Sequence, residues 1–266
     1  MGIDFHDAAN QRTYSGRTAD PSWAQAVTQL VEPTSAAVVD IGCGGGTYTR
    51  AWSALGAASV VGVDFSAPIL AAARASHREL SGGRFRRGDA ARSGLPAGTA
   101  DIVFERALIH HTPDLPAVAE EARRLLRPGG VLVIQDRTPD DVARPGSPTH
   151  PRGWFFDVFP HLLHIENARR PTCERVTEVL GAAGFADIST SSLWEVRRQD
   201  ADREEYLAEI AQRTGRSILH HLTDPQLDHL VAELRHRLPE GPFLEQDRWT
   251  LWRAAQKVGP AAGGDE

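Results

Sequence analysis

Asp40, Gly42, Gly44 and Gly46 alternate with single residues behind the apolar pair Val38-Val39, and Thr47-Tyr48 follows. Glycines at this spacing bend the chain sharply and let backbone N–H groups approach a ligand, where side chains would obstruct it. The pattern is D-x-G-x-G-x-G. It is not the G-x-G-x-x-G of dinucleotide sites, because Thr47 stands where the third glycine belongs. It is not a phosphate-binding P-loop either, since no Gly-Lys-Ser/Thr follows. The loop points to a nucleoside ligand without a triphosphate.

Three more acidic groups recur at the ends of short apolar runs. Asp64 closes Ser59–Asp64, Asp89 follows Arg84–Gly88, and Glu105-Arg106 closes Asp101–Glu105. Asp64 lies 22 positions beyond Gly42, near the roughly 20-residue separation of a ribose-binding acid. Its two oxygens match a vicinal diol. At Asp89-Ala90 a carboxylate and an adjacent N–H suit the edge of a purine. His110 and His111 follow the fourth run and are placed to move a proton near neutral pH. Alternatively, His111 packs or caps the next helix.

These groups converge only if the runs are neighbouring strands. Ala36–Ile41, Ser59–Asp64, Arg84–Gly88, Asp101–Glu105 and Val131–Gln135 read as strands. Thr47–Leu55, Ala67–Leu80 and Asp114–Leu126 read as the helices between them, after a first helix opening at Pro21. Alternation of this kind implies an α/β fold, a parallel sheet with helices on both faces. Ligands then sit beyond the C-terminal ends of the strands. Residues 138–170, rich in proline and aromatic side chains, read as a long functional loop. Trp154, Phe155, Phe156 and Phe159 form either an apolar wall for a flat substrate or the core of the insert. Thr172–Ala183 reads as a helix and Phe185–Val196 as a strand. Residues 202–213 and 224–237 read as amphipathic helices, 246–255 as a last strand, and 259–266 as a disordered tail.

The 266 residues carry 41% hydrophobic side chains, a net charge of −6 and two cysteines, Cys43 and Cys173. One large domain fits this size. Neither cysteine belongs to a C-x-x-C pair, so no structural zinc or disulfide framework is expected. Acidic balance argues against a nucleic-acid substrate. With no membrane-length apolar run and no signal pattern, a cytoplasmic enzyme acting on a small molecule is expected, with no membrane partner. Oligomeric state is open. His161 and His164 are three apart, but no third ligand appears at matching spacing, so no metal is expected.

The ordered segments VVDIGCGGGTYT, VVGVDFS, RRGDAARSGLPAGTADIVFERALIHH and LLRPGGVLVIQD resemble the class I S-adenosylmethionine-dependent methyltransferases, in particular their small-molecule branch, over about positions 36–136. The resemblance implies a Rossmann-like sheet of seven mostly parallel strands, with an antiparallel strand at 246–255 and a helical and loop cap. It implies residues 1–35 as a cofactor-covering segment and 36–258 as the methyltransferase domain, with cap insertions at about 138–170 and 200–243. The cofactor it implies is S-adenosyl-L-methionine. Asp40, Gly42 and Gly44 would frame the methionine part, Asp64 the ribose, Phe65 the adenine face, and Asp89 and Ala90 the adenine edge. The backbone near Glu105 and Arg106 would face the amino group or sulfonium, and Tyr14 and Arg17 the carboxylate end.

Methyl transfer is an in-line displacement, which needs the nucleophile held close to the methyl carbon. A hydroxyl acceptor would also gain from a base, for which His111 and His110 stand first. His150, His161, His164 and Glu166 of the insert are further candidates. The cap and the Arg-rich composition suit a secondary-metabolite tailoring enzyme. Three other readings remain: an RNA or protein methyltransferase, a non-catalytic cofactor-binding protein, and a nicotinamide-dependent reductase. The third-glycine vacancy and the Asp89 element speak against the last.

Overall fold

The structure, a computed structural model, describes residues 18–78 and 83–256. Five strands run parallel: β1 Ala37–Ile41, β2 Ser59–Asp64, β3 Gly83–Arg87, β4 Ala100–Arg106 and β5 Leu126–Asp136. Two more, β6 Phe185–Ala201 and β7 Phe243–Gln256, complete a seven-stranded sheet in the order β3-β2-β1-β4-β5-β7-β6. β7 is antiparallel to β5 and β6. β1 thus has β2 on one side and β4 on the other, so the order reverses at the glycine loop. Register places Asp40 opposite Gly62 and Phe104, and Ile41 opposite Glu105. The strand-end acids therefore share one edge.

Helices follow from their caps. Asp20 accepts from the Ser22 N–H at 2.8 Å and Pro21 sits at the start of α1 Pro21–Thr28. Ser66 caps α3 Ala67–Ser76, and Asp114 caps α4 Leu115–Leu125. α2 Thr47–Ala54 starts from Gly46, in a left-handed conformation without a side-chain cap. α8 Cys173–Ala182 ends near Gly184, whose φ of 90° suits a helix terminator. α4 and α8 cover one face of the sheet through Ala119, Ala122, Leu125, Val176 and Leu180. α1 and α2 cover the other through Trp23, Val27 and Trp52, packed edge-on around Phe104.

The insert is not a loop. It folds into three short helices, α5 Pro139–Val142, α6 Gly153–Val158 and α7 Pro160–Ala168. Pro139 and Pro160 each occupy a first helical turn, where the missing N–H costs nothing, so prolines that read as breakers act as starters. Trp154, Phe155 and Phe156 are buried in a separate apolar core with α9 Arg203–Ala211 and α10 Asp224–Arg237. Of the two readings of these aromatics, the core is the one observed. Burial at roughly 1.5–3 kcal/mol per large apolar side chain makes the two cap segments one body. His220 and His221 lie on the 3-10 turn Ser217–His221 before α10.

The fifth strand also departs from its sequence reading. Leu126 already pairs with Ala100, and Arg127–Gly130 bulges out before Val131 pairs with Ile102. β6 and β7 run further than their apolar patterns indicate. Asp136 pairs with Thr250, so Phe243–Trp249 continues past the ends of the parallel strands as a wall. Polar residues alternating into a buried face hid that extension: Glu245 and Asp247 are buried in line with Trp249.

Candidate active site

The glycine loop and the second strand are tied together. Asp64, nearly buried, accepts the Gly44 N–H at 3.0 Å through one oxygen and the Ser66 N–H at 2.9 Å through the other. Each oxygen keeps a second lone pair for a ligand hydroxyl. Burial pushes the Asp64 carboxyl up, opposed by the N–H groups of Ser66 and Gly44. Gly44 has φ of 51°, and a Cβ there would meet nothing within 4 Å. The loop therefore presents backbone to open space. Gly42, at φ 73°, donates to Val63 O at 2.7 Å. Asp40 lies beneath, accepting the Thr49 hydroxyl at 2.6 Å, and burial first and Asp64 among the rest push it up to about 7.

Next along the edge, Phe65, Arg87, Gly88 and Asp89 line an open depression of about 380 Å³. Phe65 is 42% exposed, an unusual state for a phenylalanine, at the rim of this depression. Asp89 is exposed, and one of its oxygens accepts the Ala91 N–H at 2.9 Å, so it also shapes its own turn. Ala90, partly buried, packs against the sheet core. These residues and Asp64 stand on neighbouring strands and can together hold a base and a ribose. Tyr14 and Arg17 lie outside the described residues.

On the other side of β1, the end of β4 divides its side chains between the two faces. Glu105 is 1% exposed, its Oε1 has no hydrogen-bond partner, and burial first and Asp136 second push it up to about 8. Burial thus favours its neutral form. Arg106 turns to the opposite face, between the rings of Tyr48 and Trp249, each 4.3 Å from its guanidinium carbon, and donates to Glu195 at 2.6 Å. Glu195 also takes the Tyr48 hydroxyl and, at 2.8 Å, the Gln135 amide. Ala107 follows at φ 52°, a conformation that an alanine adopts only under constraint.

His110 Nδ1 lies 2.8 and 2.9 Å from the two oxygens of Asp136. Although burial pushes Asp136 up, His110 and Arg170 hold it well below the usual carboxylate range, so it is charged. A charged carboxylate fixes the Nδ1–H tautomer and leaves Nε2 as the basic nitrogen. Among the described residues Nε2 takes no hydrogen bond. Burial lowers the His110 pKa against the pull of Asp136. The His111 ring centroid lies 4.0 Å from that of His110, and desolvation and then His110 lower its pKa.

Of the insert's candidates, Glu166 is a structural anion. It binds Arg170 at 2.5 and 2.8 Å and Arg169 at 2.5 Å. His161 and His164 are exposed on α7, and among the described residues no group of three metal-binding side chains occurs. His150 is buried, with Nδ1 2.9 Å from Gln246 O and Nε2 unpartnered.

Sequence reasoning did not single out Asp136, Glu195, Arg137, Arg152 or Trp249. Asp136 carries the same signal as Asp40 and Asp64, an acid ending an apolar strand, and the same rule would have found it. The others have no local signal, since each is polar or aromatic within a segment whose burial depends on the extended β6–β7 wall.

Residues 39–134 match the family described as "Methyltransferase domain". The trans-aconitate 2-methyltransferase of Azoarcus sp. is 33% identical over 172 residues, covering 56% of this chain and 65% of that protein. The nocamycin O-methyltransferase of Saccharothrix syringae is 36% identical over 126 residues, covering 46% and 45%. The chain thus spans less than two thirds of the length of either relative. Among solved structures, phosphoethanolamine N-methyltransferase 2 of Haemonchus contortus, in complex with S-adenosyl-L-methionine, superposes with a TM-score of 0.59 at 19% identity, over 96% of this chain and 60% of that one. That likeness is one of fold. No helix of the described residues is long and apolar enough to cross a membrane. Residues 39–134 thus form a methyltransferase domain, and with the ordered strand-end motifs on a sheet of this topology the chain is similar to the class I S-adenosylmethionine-dependent methyltransferases.

Proposed function

We propose that this protein transfers a methyl group from S-adenosyl-L-methionine to an oxygen of a small-molecule acceptor, in the cytoplasm and with no nucleic acid involved. One observation carries the reading: the Asp64 carboxylate, tied to Gly44, stands beside open space over a glycine backbone. Asp64 would take the ribose hydroxyls, Phe65 the adenine face, and Asp89 and Ala90 its edge. Asp40, Gly42 and Gly44 would frame the methionine, and the backbone at Glu105 and Arg106 its amino end. When bound, the cofactor supplies an electrophilic methyl on a sulfonium.

His110 would take the acceptor proton at Nε2, with Asp136 holding the ring and favouring the imidazolium. His111 packs its ring against that of His110. The cap, built of 138–170 and 200–243, would close over the acceptor. An oxygen acceptor is favoured because relatives are named as O-methyltransferases, and the nocamycin enzyme among them supports a tailoring role. Calorimetry with S-adenosylmethionine and with NADH tests the cofactor, and labelled-methyl transfer to a panel of phenols, amines and carboxylates tests the reaction. Heat with NADH alone would remove the reading.

A further inference from the structure

Arg137 follows Asp136 at the end of β5 and is 8% exposed. Among the described residues its guanidinium makes no ion pair and no hydrogen bond, and Nε is fully buried without an acceptor. Its one close partner is the ring of Trp249, 5.1 Å from the guanidinium carbon. Every other buried arginine here has a carboxylate. Arg170 holds Asp136 and Glu166, Arg152 reaches Asp247 at 3.4 Å, and Arg216 is paired with Glu245. Arg106, on the same indole, has Glu195.

The carboxylates near Arg137 are thus already engaged. Asp247 serves Arg152 and Arg197, the latter at 3.2 Å, and Glu166 serves Arg169 and Arg170. Burial first and Arg170 next push the Arg137 guanidinium down to about 10, still charged at neutral pH. Asp247, Glu166 and Asp136 favour its charge from a distance, but none bonds it, and a buried charge without a bonded counter-ion is among the most costly arrangements in a fold. Two other donors of the same wall, Arg152 Nε and Trp249 Nε1, are also buried without acceptors. The guanidinium's planar fork fits a carboxylate.

We propose that Arg137, beside Trp249 and Arg152, binds a carboxylate of the methyl acceptor, so that the enzyme selects anionic substrates. This rests on the methyltransferase reading above. The site lies beside the end of β4, which that reading places at the amino end of the cofactor: Arg106 pairs in register with Gln135, two residues before Arg137, and Arg106 and Arg137 share the Trp249 ring. One buried guanidinium with no bonded carboxylate has room for one anionic group.

The test uses the full chain loaded with S-adenosylhomocysteine. Its melting temperature and calorimetric affinity are measured with sodium salts of mono-, di- and tricarboxylic acids, aliphatic and aromatic, each beside its amide. Acids are expected to bind at least ten-fold more tightly than their amides. Arg137→Gln should remove that preference, leave S-adenosylhomocysteine affinity within two-fold, and raise the melting temperature of the ligand-free protein. Amides binding as well as acids, or no acid binding at all, would overturn the inference. So would Arg137→Gln that keeps the preference, melts lower or fails to fold, since Arg137 would then serve structure. Absence of S-adenosylhomocysteine binding to the wild type would instead sink the methyltransferase reading.

Discussion

Glu105 offers the sharpest test of the site, because its protonation is set by burial. Its carboxyl is enclosed on the Ile41 and Ile134 face of the sheet, with one oxygen unpartnered and Asp136 nearby. A folded-state pKa of about 8 lies above the unfolded value of 4.5. The folded protein therefore holds a proton that the unfolded chain has lost between these limits. Stability must fall as pH rises through that window. Between roughly pH 6 and pH 8.5 this one group removes about 2.5 kcal/mol, at ~1.4 kcal/mol per pH unit while protonated. Histidines titrate in the same range with the opposite sign, since His110, His111 and His150 are lowered. Comparison with Glu105→Gln cancels them. Urea unfolding of the ligand-free wild type and variant at both pH values should give a stability difference that shifts by about 2.5 kcal/mol in favour of Gln at high pH. Parallel pH profiles would refute the reasoning, because Glu105 would then be ionised throughout and not enclosed.

Asp64→Ala should weaken S-adenosylhomocysteine binding by roughly 1.5–3 kcal/mol, the scale of a charged hydrogen bond, which calorimetry reads as a roughly ten- to hundred-fold rise in Kd. Unchanged affinity would contradict the ribose assignment. His110→Ala should lower kcat by about 100- to 10,000-fold with a hydroxyl acceptor while S-adenosylhomocysteine affinity holds, whereas His111→Ala should cost less than about ten-fold. Full turnover by His110→Ala would leave His110 a packing residue. Glu195→Gln should loosen Arg106 and Tyr48 together and cost about 3–5 kcal/mol, the scale for breaking a buried ion pair, visible as a lower melting temperature. An unchanged melting temperature would show that the Tyr48–Arg106–Trp249 stack holds without it.

The parallel half of the fold was legible because each element there carries local signals. β2 matches its apolar run residue for residue, and α10 matches its amphipathic period with a Thr223 cap. Asp40, Asp64 and Glu105 announced themselves as acids where an apolar strand stops. The cap was not legible in the same way. Pro139 and Pro160 have the same local signature whether they end a loop or begin a helix, and only packing against α9 and α10 decides. Arg137 was invisible for a deeper reason. An arginine after a strand is ordinarily solvated, and its lack of a bonded carboxylate is a property of four separate segments, β5, α7, β6 and β7, whose acids bond its neighbours instead.

The protonation pattern links the two halves of the site. On the glycine-loop side, Asp40, Asp64 and Glu105 are acids pushed upward, a region short of positive charge. On the wall side, burial pushes the cations Arg137 and Arg152 downward, and Arg137 has no bonded carboxylate among the described residues. Each deficit costs stability in the ligand-free protein, and neither can be met by the other, because Arg106 between them is already neutralised by Glu195. A cationic donor on the first side and an anionic acceptor on the second would relieve both, and each would attract the other. Under the proposed function the two ligands should then bind cooperatively, with the acceptor's Kd lower in the presence of S-adenosylmethionine than of uncharged-sulfur S-adenosylhomocysteine. Equal acceptor affinity in the two complexes would mean that the two deficits are electrostatically independent.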